Sequence, residues 1–226
     1  MNLLTTSEIH AQTLPDQVYL TLRDAILNGV YRPDHMLRQE ALAASLGISR
    51  APLREAMPRL EADGLVVNHP RRGYAVRSLN LGEIEEIFEL RLLVEGRAAY
   101  LATLHRTQNH IDQLKVLIAQ IEAIKPSTEA EIIRWSDLNF EFHDRLLAPS
   151  PRRHFRRVVQ SLRFAVEPYI RMEISLTGES DDAEHEHRHI LDAFIAGDAA
   201  QVEHLTKEHC EHTATRLLDA LKQRLP

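Results

Sequence analysis

Four arginines in the N-terminal third of the chain have the type and spacing to bind a nucleic acid. Arg50 and Arg54 lie one helical turn apart, and Arg71 and Arg72 are adjacent in a turn between two apolar runs. A guanidinium group can donate two hydrogen bonds to O6 and N7 of guanine, and it also pairs with backbone phosphates. Isolated arginines are more often a solvated surface, so the elements that carry these four decide between the two interpretations.

The stretch from residue 37 onward predicts two short helices joined by a tight turn. Gly47 ends the first helix, and Ser49 is a good N-cap for the second. Pro52 is tolerated in the first turn of that helix, where a backbone N–H has no helical partner. Gly64 ends the second helix. Its buried side is marked by apolar residues at i, i+4 and i+7, namely Leu53, Met57 and Leu60.

A small β-hairpin is predicted directly after the second helix. Apolar residues 65–67 and 74–76 flank a turn that contains residues 70–73. Helices and hairpin together predict a winged helix-turn-helix. The first pair of arginines then lies at the leading end of the recognition helix, from which base edges are contacted. The second pair lies at the wing tip, where phosphates or a narrow minor groove can be reached.

The same stretch resembles the DNA-binding signature of the GntR superfamily of transcription regulators. The matching residues are Leu42, Ala43, Leu46 to Arg50, Pro52 to Ala56, Arg59 to Glu61 and Gly64 to Val66. The sequence departs from the pattern at Gln39, where Glu is usual, and at Pro58, which predicts a kink in the recognition helix. We predict DNA contacts at Arg38, Ser49, Arg50, Pro52, Arg54, Arg59, Arg71, Arg72 and Gly73.

Composition is compatible with this interpretation once the charge is divided along the chain. The net charge of the 226 residues is −6, but residues 37–77 hold 7 arginines against 4 acidic residues, or +3. Local charge sets phosphate attraction. No apolar run is long enough to cross a bilayer, and the first ten residues lack the blocks of a signal peptide. The single cysteine, Cys210, is typical of a reducing cytoplasm, which is the expected location.

The pattern predicts a mainly α protein with two domains. We expect a flexible tail at 1–13, the winged helix-turn-helix domain at 14–77, a linker at 78–81 and an all-helical domain at 82–226. Six helices are predicted in the last domain, near 82–104, 110–124, 128–148, 152–175, 181–196 and 198–223. Their short connections favour an antiparallel six-helix bundle.

Four polar residues of the predicted bundle lie on otherwise apolar helix faces. Asn139 and His143 share one face of the third helix, while His187 and His209 lie on the apolar faces of the fifth and sixth. If they converge, neutral imidazoles and an amide oxygen suit a divalent transition metal such as Zn²⁺ or Ni²⁺. The alternative is that each histidine is hydrogen-bonded in the core, since thirteen histidines make chance placements easy.

The predicted bundle resembles the FCD domain, the helical C-terminal half of FadR-type GntR regulators. The matching residues are Glu89 to Arg91, Glu95, Asn139, Phe142, His143, Glu186, His187, Ile190, Leu191, Ala193, Gly197, Asp198 and His209. In metal-binding members an Asp and three His hold the ion, which implies that His143, His187 and His209 are ligands here. Asn139 replaces the Asp and brings no charge, so we expect weaker metal binding that depends on an anionic effector.

Arg91 and Glu95 lie on the apolar stripe of the first bundle helix, one turn apart. They form either a structural ion pair or part of an effector site, because a carboxylate ligand is an apt partner for a buried arginine. Both are predicted as effector-binding residues.

These features predict a regulator rather than an enzyme. It would bind a palindromic double-stranded operator as a homodimer and respond to a small organic acid. The resemblance implies that it acts as a repressor released by its ligand. One alternative is a helical domain that only dimerises, without a ligand. The other is a metal-dependent hydrolase, which lacks a general base on the same faces apart from Glu95.

Overall fold

The computed structural model describes residues 13–178 and 180–223, and the predicted tail at 1–13 lies outside this range except for Thr13. The chain divides into two compact units, Met1–Ser78 and Leu79–Pro226. Nine helices and three strands lie within the described residues. The predicted fold class, a small winged helix-turn-helix followed by six helices, is confirmed.

The first unit alternates helices with short strands. Its elements are α1 (Leu14–Leu27), β1 (Met36–Leu37), α2 (Gln39–Leu46), α3 (Arg50–Ala62), β2 (Val66–His69) and β3 (Gly73–Val76). The strands form one antiparallel sheet in the order β1-β3-β2, in which Val66 pairs with Val76 and His69 with Gly73. Strand β1 was not predicted, because two residues are too short to show an alternating pattern.

Helix α3 is anchored by its apolar side. Leu53, Met57 and Leu60 are fully buried, as their spacing predicted. Gly47 takes the left-handed conformation that closes α2, with a φ of 66°, which a side chain would strain. Pro58 lies on the exposed side of α3, which remains a continuous α-helix across it. The angle between the two helices of the motif is thus set by the glycine turn and the shared core.

The second unit consists of six helices. They are α4 (Leu81–Leu104), α5 (Gln108–Glu122), α6 (Glu129–Leu147), α7 (Arg153–Thr177), α8 (Asp181–Ala196) and α9 (Ala199–Lys222). No boundary differs from its predicted position by more than two residues. Capping boxes explain several of the starts, since Asn80 and Glu83 exchange hydrogen bonds at α4, and Thr128 and Glu131 do so at α6.

A close contact between α4 and α9 brings the last helix against the first. A Cβ atom at Gly96 of α4 would lie 2.7 Å from the Lys207 side chain and 3.2 Å from the backbone oxygen of Glu203. Glycine therefore allows the backbones to approach, and residues of α9 reach the interior beside α4. In the part of the chain that the structure describes, no helix combines the length and apolar character that crossing a membrane requires.

Candidate functional sites

The outer surface of α3 presents the predicted recognition arginines to solvent. Arg54 is exposed and makes no ion pair among the described residues. Arg50 is exposed as well, and its Nη1 lies 2.9 Å from Oε1 of Glu40. An exposed pair of this kind is worth little free energy, so a phosphate or base can replace the carboxylate. Ser49 lies at the N-cap, yet its hydroxyl makes no capping bond and is available to a phosphate.

The wing tip carries the second pair of arginines in a tight three-residue loop. Arg71 has a φ of 67° and Gly73 a φ of 92°, so the loop turns sharply and both Arg71 and Arg72 remain exposed. Arg38, at the start of α2, is also exposed. Eight of the nine predicted contact residues are thus exposed.

Two predicted contact residues occupy different environments. Pro52 is buried with the core face of α3, so its side chain is not presented to solvent. Arg59 is directed toward α1, where its Nη1 lies 2.7 Å from Oδ1 of Asp16 and its guanidinium carbon 4.3 Å from the centre of the Tyr19 ring. Arg59 therefore takes part in the packing of α1 on α3. Both residues remain predictions, in surroundings that differ from those of the other seven.

The three predicted histidines of the bundle converge. His143 on α6, His187 on α8 and His209 on α9 are all buried, and one ring nitrogen from each lies within 4.8 Å of the others. Nε2 of His143 lies 3.1 Å from Nε2 of His187. Two imidazoles bound to one Zn²⁺ at normal bond lengths have their nitrogens about 3.0–3.4 Å apart. The spacing fits a shared cation.

Burial keeps these imidazoles neutral, the form that binds metals. Burial lowers the pKa of His143 well below its usual value of 6.5, and the charge of Arg163 lowers it further. The pKa of His187 is also well below 6.5, first because of burial and then because of the neighbouring His209. Burial lowers the pKa of His209 as well, although its contact with Glu186 partly offsets the effect. The ring nitrogens are therefore available as electron-pair donors.

Asn139 supplies an independent sign of a missing partner. It is buried one turn before His143 on α6, and its Oδ1 has no hydrogen-bond partner among the described residues. Nδ1 of His187 is likewise without a partner. Unpaired buried polar atoms are costly, so their clustering marks a site for a polar ligand. Three neutral imidazoles and an amide oxygen fit a borderline transition metal.

A buried ion network lies beside the histidines. Nε of Arg91 lies 2.7 Å from Oε1 of Glu95, and Nη1 of Arg163 on α7 lies 3.3 Å from Oε2 of the same carboxylate. Burial acts to raise the pKa of Glu95, but the charges of Arg91 and Arg163 outweigh it and hold that pKa below its usual range. Glu95 is thus an ionised carboxylate whose two oxygens both face arginines.

Arg163 was missed by the sequence reasoning. It interrupts an apolar stripe of α7 formed by Val159, Val166 and Ile170, all buried. A charged residue on such a stripe is the signal that pointed to Arg91, and it was equally present here. Nη1 of Arg91 and Nε of Arg163 both lack partners.

Some of these groups, among them Arg91, Asn139, Arg163 and His209, line one small cavity with a volume of about 20 Å³. The lining residues are Arg91, Trp135, Asn139, Arg163, Ile170, Glu173, Ile174, Ala183, His209, Thr213 and Arg216. Three arginines against one glutamate give the wall an excess of positive charge. The nearby acids of α6 do not contribute, because Asp137 pairs with Arg171 and Asp144 with Arg156. The charge of this wall suits a small anionic group.

Comparison with known proteins identifies the two units. Residues 14–76 match the gntR family of bacterial regulatory proteins, and residues 86–212 match the FCD domain. The HTH-type transcriptional regulator YdhC of Bacillus subtilis is 29% identical over 211 residues, covering 92% of each chain. The HTH-type transcriptional repressor GlaR of Escherichia coli is 26% identical over 198 residues, covering 84% of this chain and 90% of GlaR.

Solved structures agree on the fold. The E. coli McbR/YncC structure superposes with a TM-score of 0.79 at 21% identity, covering 94% of this chain and 99% of that one. A GntR-type structure from Rhodococcus sp. RHA1 gives a TM-score of 0.74 at 22% identity, covering 91% and 97%.

Fold, arginine surface and relatives together define a DNA-binding regulator of transcription. More specifically, the chain belongs to the GntR family and carries an FCD domain as its helical unit. Its relatives are regulators and not enzymes, which confirms that prediction and removes the hydrolase alternative.

The neutral histidines make the stability of the metal-stripped protein depend on pH. Because their folded pKa values lie below the unfolded value of 6.5, the unfolded chain takes up protons first as the pH falls. The histidines therefore contribute fully to the free energy of unfolding above pH about 6.5. Below that pH the free energy of unfolding falls by up to about 1.4 kcal/mol per pH unit for each histidine. Urea unfolding at pH about 7.5 and about 5.5 measures this loss.

His187→Gln removes one of these groups and should reduce the pH dependence, whereas His185→Gln changes an exposed histidine and should not. Equal pH dependence in wild type and the His187 variant would show that the buried imidazole is not kept neutral by the fold.

Proposed function

We propose that this protein is a cytoplasmic repressor that binds a palindromic operator as a homodimer and releases it when its helical domain binds a small carboxylate. A divalent transition metal in the histidine cluster would hold that effector. The observation that carries the proposal is the pairing, in one chain, of an exposed arginine surface on a winged helix-turn-helix with a buried, cation-lined cavity beside three neutral histidines.

The DNA-binding part rests on Arg50 and Arg54 of α3 and on the wing arginines. The guanidinium of Arg54 has no competing partner among the described residues and lies one turn into α3, so it suits a bidentate contact to guanine. Arg71 and Arg72 protrude from a loop whose backbone is tightly constrained, so they suit phosphates or the minor groove. In this proposal α3 contacts the DNA bases, and the wing loop contacts the DNA backbone or minor groove.

Arg54→Ala should weaken binding to the operator by about 1–3 kcal/mol and relax the base preference at one position of each half-site. Arg72→Ala should instead weaken binding to all sequences alike and flatten the salt dependence. Gel shifts on promoter DNA and on scrambled DNA at matched salt measure both effects. Arg134→Ala removes an exposed arginine of α6 and serves as the control. Unchanged operator affinity for the Arg54 variant would contradict the assigned role.

The effector part rests on the donor set and the charge of the cavity. His143, His187, His209 and the Asn139 oxygen would hold the metal. When bound, it would supply a Lewis-acidic centre that attracts a carboxylate oxygen. Arg91, Arg163 and Arg216 line the same cavity and can pair with the remaining oxygens of that carboxylate. Arg91 is thus proposed as an effector contact, while Glu95, which does not line the cavity, holds Arg91 and Arg163 in place.

A ligand that binds only the folded state must raise the melting temperature. We expect chelator-treated protein to melt at a higher temperature with added Zn²⁺ or Ni²⁺, and higher still with metal plus one member of a panel of small carboxylates. A ligand concentration of about 100 times Kd stabilises the folded state by about 2.7 kcal/mol. Differential scanning fluorimetry of wild type, His187→Ala and the exposed control His185→Ala measures this.

A metal response in wild type and His185→Ala, but not in His187→Ala, supports the proposal. No response to any metal or acid in all three proteins favours the alternative, a helical domain that only dimerises.

Dimerisation is supported by the outer face of α4. Leu90 and Leu93 are 43% and 72% exposed there. Along the same exposed face, the acidic Glu86 and Glu89 precede them and Arg97 follows them. An antiparallel pair of α4 helices centred on Leu93 would bury these leucines and place Arg97 of each copy beside Glu89 of the other. Such a two-fold arrangement is self-complementary in both shape and charge.

Leu93→Glu places like charges at the centre of this interface, so we expect dissociation to monomers in light-scattering chromatography. Operator affinity should fall with it, because one winged helix reads only a half-site. Val116→Glu on α5 is a matched control, since Val116 is 57% exposed outside this face. A Leu93→Glu protein that remains dimeric would place the interface elsewhere.

A further inference from the structure

The candidate metal site lacks a charged ligand. Three neutral imidazoles and the Asn139 oxygen would surround a divalent cation without supplying any negative charge. A buried cation without a counter-charge is strongly disfavoured, because its hydration is lost and nothing replaces it. A carboxylate near the cluster would offset this charge and so strengthen metal binding in the absence of an effector.

Glu186 is the carboxylate that the structure places in contact with the cluster. Its Oε2 lies 2.6 Å from Nδ1 of His209, and the Glu186 side chain is only 19% exposed. Its Oε1 lies 2.7 Å from Nδ1 of His212 and 3.5 Å from Nη1 of Arg216. Both carboxylate oxygens are therefore engaged, and the orientation of the group is set from α8 and α9 together.

The contact has a definite consequence for His209. A carboxylate accepts a hydrogen bond, so Nδ1 of His209 carries the proton and Nε2 is left with its lone pair. Nε2 is thereby the nitrogen available to a cation shared with His143 and His187. A carboxylate bonded to the far side of a ligand imidazole also increases the basicity of that imidazole and lends it negative charge.

Other buried carboxylates are committed elsewhere. Glu95 is shared by Arg91 and Arg163, and Glu167 pairs with Arg171. Glu184 accepts hydrogen bonds from the Trp135 indole and the Ser180 hydroxyl. Of Glu95, Glu167 and Glu184, none forms a hydrogen bond or ion pair with a histidine of the cluster among the described residues. Glu173, which is also buried, accepts a hydrogen bond from the Thr177 hydroxyl.

We propose that Glu186 is the positioning residue of the metal site: it selects the His209 tautomer that exposes Nε2 and supplies, through His209, the negative charge that Asn139 does not. This assignment rests on the proposed metal function. The same carboxylate also contacts Arg216, which lines the cavity. Glu186 thus contacts both a proposed metal ligand and a residue that would face the effector.

The test separates the charge of Glu186 from its hydrogen bond. Glu186→Gln keeps an oxygen that accepts from Nδ1 of His209 but removes the charge, and Glu186→Ala removes both. We expect Zn²⁺ affinity of the full chain, measured by competition with a chromophoric chelator, to fall about 10- to 100-fold in Glu186→Gln and further in Glu186→Ala. Asn139→Asp should raise the affinity of wild type and restore that of Glu186→Gln.

Glu203→Gln is the matched control, because Glu203 is a partly buried carboxylate of α9 that pairs with Lys207 away from the cluster. Its affinity should equal that of wild type. The ¹⁵N chemical shifts of His209 in metal-free protein provide a second readout: wild type and Glu186→Gln should show the tautomer protonated at Nδ1, and Glu186→Ala should lose that preference. Restoration by Asn139→Asp in the double variant also shows that the site remains folded.

The outcomes distinguish the two proposals. Equal Zn²⁺ affinity in wild type, Glu186→Gln and Glu186→Ala would overturn the role of Glu186 and leave the metal site intact. Failure of wild type to bind Zn²⁺ or Ni²⁺ would overturn the metal function, and with it this assignment. A loss in both Glu186 variants that Asn139→Asp does not restore would show that position, and not charge, is what Glu186 contributes.

Discussion

The ion pairs of Glu95 with Arg91 and Arg163 are the interaction on which the helical unit depends. One fully buried carboxylate is shared by two fully buried guanidinium groups, so the interior carries more positive than negative charge at this point. Removing the carboxylate alone would leave two buried cations without a partner, which costs several kcal/mol. The same positive charge, added to burial, keeps the nearby histidines neutral. The charge of this interior and the neutral state of its histidines are therefore consequences of how α4 and α7 are held together.

This arrangement gives the two units different physical tasks. The N-terminal unit positions arginines by means of a short, well-packed core, and its surface pairs are weak enough to be exchanged for phosphate. The helical unit has buried polar side-chain atoms without hydrogen-bond partners. Such atoms are already positioned to bind an ion of matching charge. The proposed function requires reciprocal coupling: an effector that lowers affinity for DNA would itself bind less tightly when DNA is present.

Local sequence patterns predicted most of the fold because they report local physics. The stripe of Leu53, Met57 and Leu60, the glycine stops and the capping residues act over one or two helical turns, and the helices of the second unit ended within two residues of the predicted positions. The same periodicity placed Asn139 and His143 on an inward face. Arg59 shows the limit: its spacing on α3 was known, but its contact with Asp16 and Tyr19 depends on where α1 packs.

By itself, the sequence determined which elements form, which faces they bury and which family they belong to, since these depend on residue type and spacing along one chain. Only the tertiary structure decided that three histidines from three helices meet, that Glu95 serves two arginines, and that Glu186 lies behind His209. Contacts of 2.6–3.3 Å between separate helices depend on their relative rotation and translation, and a shift of one residue in either helix would remove them. No pattern within a single helix carries that information.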